Sequence, residues 1–434
     1  MPSALMNSLW QRGHRISKLL TTFFLGQGVL QGINILAGLY LVRSMSTEAY
    51  AQFGLAAGFQ QTVGLLMDLG FTSTIIPLVG DQGDNKMLVG KYVRAAKHLR
   101  DRTFWILSPI AMIAFFAIMR RQRWSLVTEV LLMGSVLLSV YSGGKVSYYS
   151  APLFLYGRLK DFYVPQTLSA TGRLFAFWIF RSVGALNGWV AAILTAINST
   201  INGEILQKVA HKHLEWPEQD DPKIDREVIR YVLPAIPALI FAAFQLQSSV
   251  FLIGIFGQST SIAQISALGR LSQIFSIFTI FNTVVVEPAM AKLPEAKVLS
   301  RYFILILLAV LFCSPIVLLA FTKPGLVLWL LGSKYEGLRD VVGWAMLTGS
   351  VNYLAMLIWI VNRSRKWVFW SGTILEIVLI LSAQVLFIVA HGVRTTEDAV
   401  FFSLLSAFGP LLTQICVMIY GLSGGRARST VSIS

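Results

Sequence analysis

The longest polar connection in the sequence is residues 211–230, HKHLEWPEQDDPKIDREVIR. On both sides of it the chain consists of long apolar runs separated by short charged or turn-forming segments. A membrane-spanning helix needs about 20 predominantly apolar residues, and twelve runs of that size are present, six before the connection and six after it. The connection therefore predicts a chain of two six-helix halves, the layout of two-lobed transporters.

The predicted architecture is an all-α polytopic membrane protein of about 12 transmembrane helices, in two six-helix lobes around a central cavity. The lobes are residues 1–209 and 231–434, joined by a cytoplasmic linker, 210–230. Between residues 125 and 165 the helix count stays open, because Ser142-Gly143-Gly144-Lys145 and Pro152 interrupt a weakly apolar stretch. The predicted spans are 19–42, 51–79, 103–119, 125–142, 162–180, 185–209, 231–256, 262–288, 302–321, 341–361, 367–390 and 399–422.

Composition excludes several classes of protein. Hydrophobic residues make up 55% of the 434 residues, charged residues 13%, and the mean hydropathy is +0.66, which is too apolar for a soluble or disordered chain. The formal charge of +15 fits basic cytoplasmic loops better than a nucleic-acid partner. The sequence has no phosphate-binding loop, no nucleophile elbow and no metal-ligand spacing, so we expect neither an enzyme nor a cofactor.

Lysine and arginine residues predict the orientation. With the N-terminus inside, 24 of the 36 lie in inner segments, among them Arg426 and Arg428, and 9 lie in outer segments. Both termini are therefore predicted to be cytoplasmic. The outer cluster at 120–124, RRQRW, runs against this rule.

Polar side chains recur at helical spacing inside several spans. Because hydrocarbon cannot solvate them, they must face protein or water. Two interpretations of these side chains remain open. Either each pairs individually with a carboxylate or a carbonyl group where helices pack, or together they line one hydrophilic cavity. The side chains concerned are Gln27, Gln31 and Asn34 in the first span, Lys145 after the fourth, Gln166, Ser169 and Arg173 in the fifth, and Ser266, Arg270 and Gln273 in the eighth.

Two acidic residues, Asp68 and Glu376, are predicted to lie deepest in the membrane and are candidates for ion coupling. Pairing with a nearby Lys or Arg is the alternative for each. Glu129, Glu204 and Glu287 fall near predicted span ends, where we expect water to reach them.

Local patterns add four expectations. Pro234 and Pro237 predict a broken or kinked seventh span, and Gly28 and Gly32 predict a close helix contact. Residues 85–102 alternate basic and apolar side chains, which predicts an amphipathic helix on an anionic surface, ordinary loop charge being the alternative. Residues 51–61 and 263–273 share Ala, Gln and Gln at matching positions, which favours an internal duplication.

The stretch 39–80, LYLVRSMSTEAYAQFGLAAGFQQTVGLLMDLGFTSTIIPLVG, resembles the entry to polysaccharide flippases of the Wzx type. These belong to the multidrug/oligosaccharidyl-lipid/polysaccharide exporter superfamily. The segments ALGRLSQI at 267–274 and LWLLGSKYEGL at 328–338 carry the same resemblance. It implies a twelve-span flippase of the bacterial cytoplasmic membrane that moves an undecaprenyl-diphosphate-linked oligosaccharide to the outer leaflet.

Under this resemblance the predicted substrate-binding cations are Arg270, Arg173 and Lys145, which would hold the diphosphate or acidic sugars. The amides of Gln27, Gln31, Asn34 and Gln273 would bind sugar hydroxyls. Expected partners are the lipid-linked substrate, membrane lipids, and a polysaccharide polymerase or ligase.

Two alternatives remain. One is a multidrug antiporter of the same superfamily that exports organic cations, although the first span lacks an acidic residue for ion coupling. The other is a membrane glycan polymerase or ligase, which would be expected to have a larger outer loop.

Overall fold

The computed structural model describes residues 2–291 and 293–423, and within them it contains helices and connecting segments but no strand. Packing divides the chain into two compact units, Met1–Ser248 and Ser249–Ser434, which we call unit 1 and unit 2. Arg426 and Arg428, two of the cations predicted to be cytoplasmic, lie outside the described residues.

The helices of unit 1 are α1 (Pro2–Ser44), α2 (Thr47–Asp68), α3 (Ile75–Val79), α4 (Lys86–Arg121), α5 (Leu126–Leu155), α6 (Leu159–Ser182), α7 (Gly188–His211), α8 (Pro222–Val232) and α9 (Ile236–Gln245). The chain continues through α10 (Ser248–Phe256), α11 (Ser259–Ser272), α12 (Ile274–Phe281), α13 (Glu287–Ala291), α14 (Glu295–Thr322), α15 (Pro324–Trp329), α16 (Arg339–Ser364), α17 (Trp370–Ala390) and α18 (Thr396–Leu422).

Eight described helices are long and apolar enough to cross a membrane, and the bent pair of α2 with residues Thr72–Val79 makes a ninth. The fifth and sixth predicted spans correspond to helices α6 and α7. These two helices are not among the eight, because their polar side chains lower their mean hydropathy. The eighth is divided among α11, α12, a π-helix at Asn282–Val286 and α13. The prediction of an all-α, multi-pass membrane protein is confirmed.

The region left open in the sequence forms one helix, α5, which runs through Gly143, Gly144 and Pro152 without a break. Ser125 caps its start by accepting from the Thr128 amide. The backbone stays helical because lipid offers no other hydrogen-bond partners for its peptide groups.

Two predicted features of single spans are resolved. The seventh span is broken as expected, with a 3-10 turn at Leu233–Ala235 between α8 and α9. The Gly28 and Gly32 prediction is wrong, since a Cβ at either position would meet nothing within 4 Å. Both glycines lie on a face of α1 that no described group approaches.

The prediction for residues 85–102 is wrong about their surroundings. They are helical, as the first half of α4, but Val89, Val93 and Ala96 are buried in a cluster with α5, α7 and α8. Three basic side chains of this stretch face acidic groups of the connection after α7, in the pairs Lys91–Asp221, Arg94–Asp220 and His98–Asp225. Gly90 allows the close approach, because a Cβ there would overlap the carbonyl oxygen of Glu215.

The two units repeat one packing order. α5 packs most extensively on α7 in unit 1, and α16 packs most extensively on α18 in unit 2. In the same way α4 packs on α5 and α14 on α16, while α6 packs on α7 and α17 on α18. The polar connection, α8 and α9 lie in unit 1, so the compact units end later than the predicted lobes. The six-plus-six division stays a prediction.

Candidate transport site

A guanidinium and an amide meet between α1 and α6. Arg173 Nη2 donates to Asn34 Oδ1 at 2.6 Å. The helices are held together by an apolar seam of Leu30, Tyr163 and Ala170. Gln27 and Gln31 share the side of α1 that carries Asn34, and all four polar side chains are half-buried. The first-span stripe predicted from spacing is therefore next to a cation.

A second cation lies between α5 and α7. Lys145 Nζ is 2.5 Å from Glu204 Oε1, with the ammonium side chain 17% exposed and the carboxylate side chain 48% exposed. Gly203 makes room for the lysine, because a Cβ there would come within 2.9 Å of Lys145 Cβ. Lys145 is thus ion-paired, which is the structural role that the sequence left open for it.

Hydroxyl and amide groups connect these two contacts along α7. Ser142 and Thr200 share a hydrogen bond of 2.8 Å between their hydroxyls, and Ser169 donates to Asn198 at 2.6 Å. We call the whole set the polar belt of unit 1. Its members are Asn34, Ser142, Lys145, Ser169, Arg173, Asn198, Thr200 and Glu204.

Asp68 is paired at the end of α2, at the bend within the second span. Its carboxylate lies 3.6 Å from Arg100 Nε of α4 and accepts from the Thr72 hydroxyl at 2.5 Å. Leu69 (φ +43°) and Gly70 (φ +83°) turn the chain here, and the span bends by 52°. Asp68 is therefore partly neutralised and fixes a bend.

Arg100 is the residue that sequence reasoning placed wrongly, among the loop cations. It is 3% exposed and donates from Nη2 to the carbonyl oxygen of Val140 at 2.8 Å. Its position does follow a helical pattern, because it continues the buried stripe of Val89, Val93 and Ala96 by one turn.

Glu129 corrects another expectation. We expected water at this side chain, but it is fully buried, and Arg120 Nη1 lies 3.6 Å from Oε2. This contact accounts for one cation of the outer cluster, since Arg120 is held beside a buried carboxylate at the start of α5.

In unit 2, Glu376 ends a chain of amides. Gln414 Nε2 donates to Glu376 at 3.2 Å, Asn362 donates to Gln414, and the Tyr302 hydroxyl donates to Asn362 at 2.9 Å. The four residues come from α17, α18, α16 and α14. Among the described side chains no Lys, Arg or His forms an ion pair with Glu376. The two coupling candidates thus differ, since Asp68 has a guanidinium beside it.

Glu287 is paired rather than left to water. Arg363 binds it through two nitrogens at 2.8 and 2.5 Å, and its guanidinium stacks on Trp359 at 4.2 Å. Arg365 donates to carbonyls of residues 290, 291 and 293. These contacts hold the end of the broken eighth span on α16.

Arg270 and Gln273 lie on that same broken span. Arg270 is in the last turn of α11, and Gln273 is the junction between α11 and α12, where its carbonyl oxygen accepts from Ser276. Both are half-buried. The structure therefore brings Arg173 and Asn34 together in unit 1, and it places Arg270 and Gln273 one turn apart in unit 2.

The described side chains contain no group of three or more His, Cys, Asp or Glu that could hold a metal ion. The belt offers cations, amides and hydroxyls, which bind phosphate oxygens and sugar hydroxyls by hydrogen bonds.

No protein-family model and no curated protein sequence matches the chain. Solved structures do match it. An inward-facing multidrug resistance MATE family transporter of the MOP superfamily has a TM-score of 0.66 at 13% identity, over 92% of this chain and 95% of that one. The lipid II flippase MurJ in an inward closed conformation has a TM-score of 0.65 at 12% identity, over 92% and 89%.

The chain has the fold of these transporters. A mutant of the Vibrio cholerae MATE transporter VcmN also matches, with a TM-score of 0.63 at 14% identity over 95% of this chain and 98% of that one. At such identities the likeness establishes the fold. The matching structures include multidrug transporters and a lipid flippase. They do not show whether the chain belongs to the polysaccharide branch that residues 39–80 resemble.

Proposed function

We propose that the protein is a flippase that moves an undecaprenyl-diphosphate-linked oligosaccharide across the bacterial cytoplasmic membrane by alternating access. The observation that carries the proposal is the contact of Arg173 with Asn34 on a first span that has no carboxylate. A guanidinium beside a row of amides suits an anionic, hydroxyl-rich substrate. An organic cation would be repelled by it.

The physical task explains the need for such groups. A diphosphate and a sugar chain lose their hydration in hydrocarbon, at a cost of many kcal/mol for ionised groups. Cations and amides at membrane depth replace part of that hydration. The polyprenyl tail needs no such shelter and stays in lipid.

Each predicted residue has a role in this proposal. Arg173 and Arg270 bind phosphate or acidic sugar, while Gln27, Gln31, Asn34 and Gln273 bind hydroxyls. Lys145 can contribute only by exchanging Glu204 for the substrate, because the two are 2.5 Å apart.

Cellular setting follows from the same proposal. Both termini lie in the cytoplasm, the substrate is loaded from the inner leaflet, and the product is delivered to a polysaccharide polymerase or ligase on the other side. The protein itself carries out no bond-forming chemistry.

The second candidate is a multidrug antiporter. Glu376 favours it, because a carboxylate without a described cation partner can bind a proton or a coupling ion. Such a residue also suits a proton-coupled flippase, so the substrate decides between the two.

The test is leaflet-resolved translocation of a labelled undecaprenyl-diphosphate oligosaccharide in proteoliposomes. We expect transport by the wild type, a loss of about 10- to 100-fold in Arg173→Ala from one charged hydrogen bond, and partial recovery in Arg173→Lys. Arg270→Ala should show a similar loss. Arg181→Ala is the matched control, since Arg181 is an exposed cation at the end of the same helix.

Size-exclusion profiles identify variants that fail to fold. If the wild type moves no lipid-linked glycan but exports an organic cation when an ion gradient is imposed, the antiporter hypothesis is correct. Equal losses in the Arg173 and Arg181 variants would remove Arg173 from the substrate path.

A further inference from the structure

The short helix α8 has two opposite faces. Ile224, Val228 and Val232 recur at i, i+4 and i+8 and are buried against unit 1. Lys223, Arg226 and Arg230 recur at i, i+3 and i+7 and are exposed. At 100° per residue the three cations lie within about 60° of one another, opposite the buried row.

None of the three cations forms an ion pair with a described carboxylate. This differs from the neighbouring helix α4, whose Lys91, Arg94 and His98 are matched by Asp221, Asp220 and Asp225. Three acidic groups of the connection, Asp220, Asp221 and Asp225, are therefore paired with α4, and the three cations on the outer face of α8 keep their charge.

The position of α8 adds apolar groups at the edges of this face. Ile229 is 40% exposed, Tyr231 54% and Leu233 60%. α8 forms the first part of the candidate membrane span Pro222–Gln245, which continues through the 3-10 turn and α9. From Lys223 to Arg230 the helix rises about 10 Å, which is on the scale of the headgroup layer.

We propose that the outer face of α8 is a binding surface for the phosphate headgroups of anionic phospholipids. The cations attract the phosphates, and Ile229, Tyr231 and Leu233 enter the acyl boundary beside them. This surface is not part of the transport site, because it faces away from the unit 1 core. It fixes the depth of the broken seventh span in the membrane.

The surface can be tested on the purified full-length protein in nanodiscs of phosphatidylcholine with increasing phosphatidylglycerol. We expect phosphatidylglycerol to raise the Tm of the wild type. Native mass spectrometry should show phosphatidylglycerol retained by the wild type and bound about 100-fold more weakly by Lys223→Gln/Arg226→Gln/Arg230→Gln, since each cation near the surface contributes about fivefold.

The matched control removes three other exposed cations of unit 1, Lys160, Lys208 and Lys212, at the ends of α6 and α7. It carries the same net charge as the α8 variant and should keep the response to phosphatidylglycerol. The single variant Arg226→Gln should show an intermediate loss if the triple variant does not fold.

Three results would overturn the proposal. One is a wild type that does not respond to phosphatidylglycerol, and another is an equal loss in the control variant, which would indicate diffuse attraction by the whole basic surface. The third is a rise in Tm on adding polyglutamate in pure phosphatidylcholine without any effect of phosphatidylglycerol, which would assign the face to an acidic protein.

Discussion

Gly144 has a specific neighbour, the guanidinium of Arg100. A Cβ at position 144 would overlap that guanidinium, whereas a Cβ at Gly143 would meet only the Ser199 hydroxyl at 3.9 Å. Adjacent glycines on one helix thus have different tolerances, decided by what approaches α5 from α4.

Gly144→Ala should therefore destabilise the protein by about 1–3 kcal/mol, the usual cost of inserting a methyl group into a filled space. Gly143→Ala should be neutral or stabilising by up to about 1 kcal/mol, from helix propensity. Thermal unfolding in detergent compares the two. If both variants unfold at the wild-type temperature, Arg100 does not pack on α5.

The stability of the buried Glu129 carboxylate depends on its ion pair with Arg120. Removing one partner of a buried pair costs about 3–5 kcal/mol, and the 56% exposure of Arg120 reduces this to roughly 1–2 kcal/mol through solvent screening. We expect Arg120→Ala to lower the Tm and Arg121→Ala, an exposed neighbour, to leave it unchanged.

The double variant Arg120→Ala/Glu129→Gln should recover stability, because it removes the charge that lost its partner. If Arg120→Ala is no less stable than Arg121→Ala, the ion pair does not contribute.

At the scale of elements, α4 is joined to the polar connection by paired charges. Arg94 donates to Asp220 Oδ1 at 2.5 Å and to the carbonyl oxygen of Pro217, and Tyr92 donates to Glu227 at 2.9 Å. The hydrogen bond from Arg94 lowers the pKa of Asp220 below its ordinary value of 3.8. The connection is thus held to unit 1 by its charges.

This lowered pKa gives a direction for the pH dependence. The stabilisation by ionised Asp220 is complete above about pH 4, the ordinary carboxyl range, and is lost as pH falls through the lower pKa of the folded state. We expect wild type to be more stable than Asp220→Asn at pH 7, by about 1 kcal/mol or less for so exposed a pair.

The difference in Tm should stay constant from pH 7 to about 5 and shrink below about pH 4. Thermal unfolding across this range measures it. A difference that persists in acid would show that Asp220 acts through something other than its charge.

The same charges explain why the sequence prediction for residues 85–102 was wrong. Alternating basic and apolar residues describe a helix with two faces, but not what lies on each face. Carboxylates more than 100 residues away neutralise the basic face, and α5, α7 and α8 cover the apolar one. Periodicity contains no information on such distant partners.

On the scale of the whole molecule, both units contain one candidate for ion coupling. Asp68 in unit 1 has Arg100 and Thr72 beside it, while Glu376 in unit 2 has a neutral amide. A carboxylate without a cation in the membrane gains more from binding a proton. On this basis we propose that Glu376 is the ion-coupling residue and that Asp68 has a structural role.

We therefore expect Glu376→Gln to fold normally and to abolish the response of transport to a proton gradient. Asp68→Asn should lower the Tm and keep that response. Translocation with and without an imposed gradient, beside thermal unfolding, separates the two effects. An Asp68→Asn protein that folds normally but no longer responds to the gradient would reverse the assignment.

The repeated packing order also belongs to this scale. Gln52 on α2 and Gln264 on α11, matched in the sequence comparison, each contact the first residue of the last long helix of their unit. Gln52 contacts the backbone region of Gly188 on α7, and Gln264 accepts from Thr396 on α18. The weak sequence match thus corresponds to the same neighbour in each unit, as a duplication predicts.

The sequence by itself determined that this chain is a helical, multi-pass membrane protein. Each run of about 20 apolar residues can cross the lipid as a helix, because a helix satisfies the hydrogen bonds of its own backbone N–H and C=O groups. The sequence also located the break at Pro234 and the polar row of α1, because both depend on local spacing. Only the tertiary structure decided which polar groups are paired. Three pairs of opposite charge lie in contact, Lys145–Glu204, Arg100–Asp68 and Arg120–Glu129. Glu376 instead accepts a hydrogen bond from the neutral amide of Gln414. Pairing depends on which helices become neighbours, and the apolar faces that set this are too alike along the chain to identify their partners.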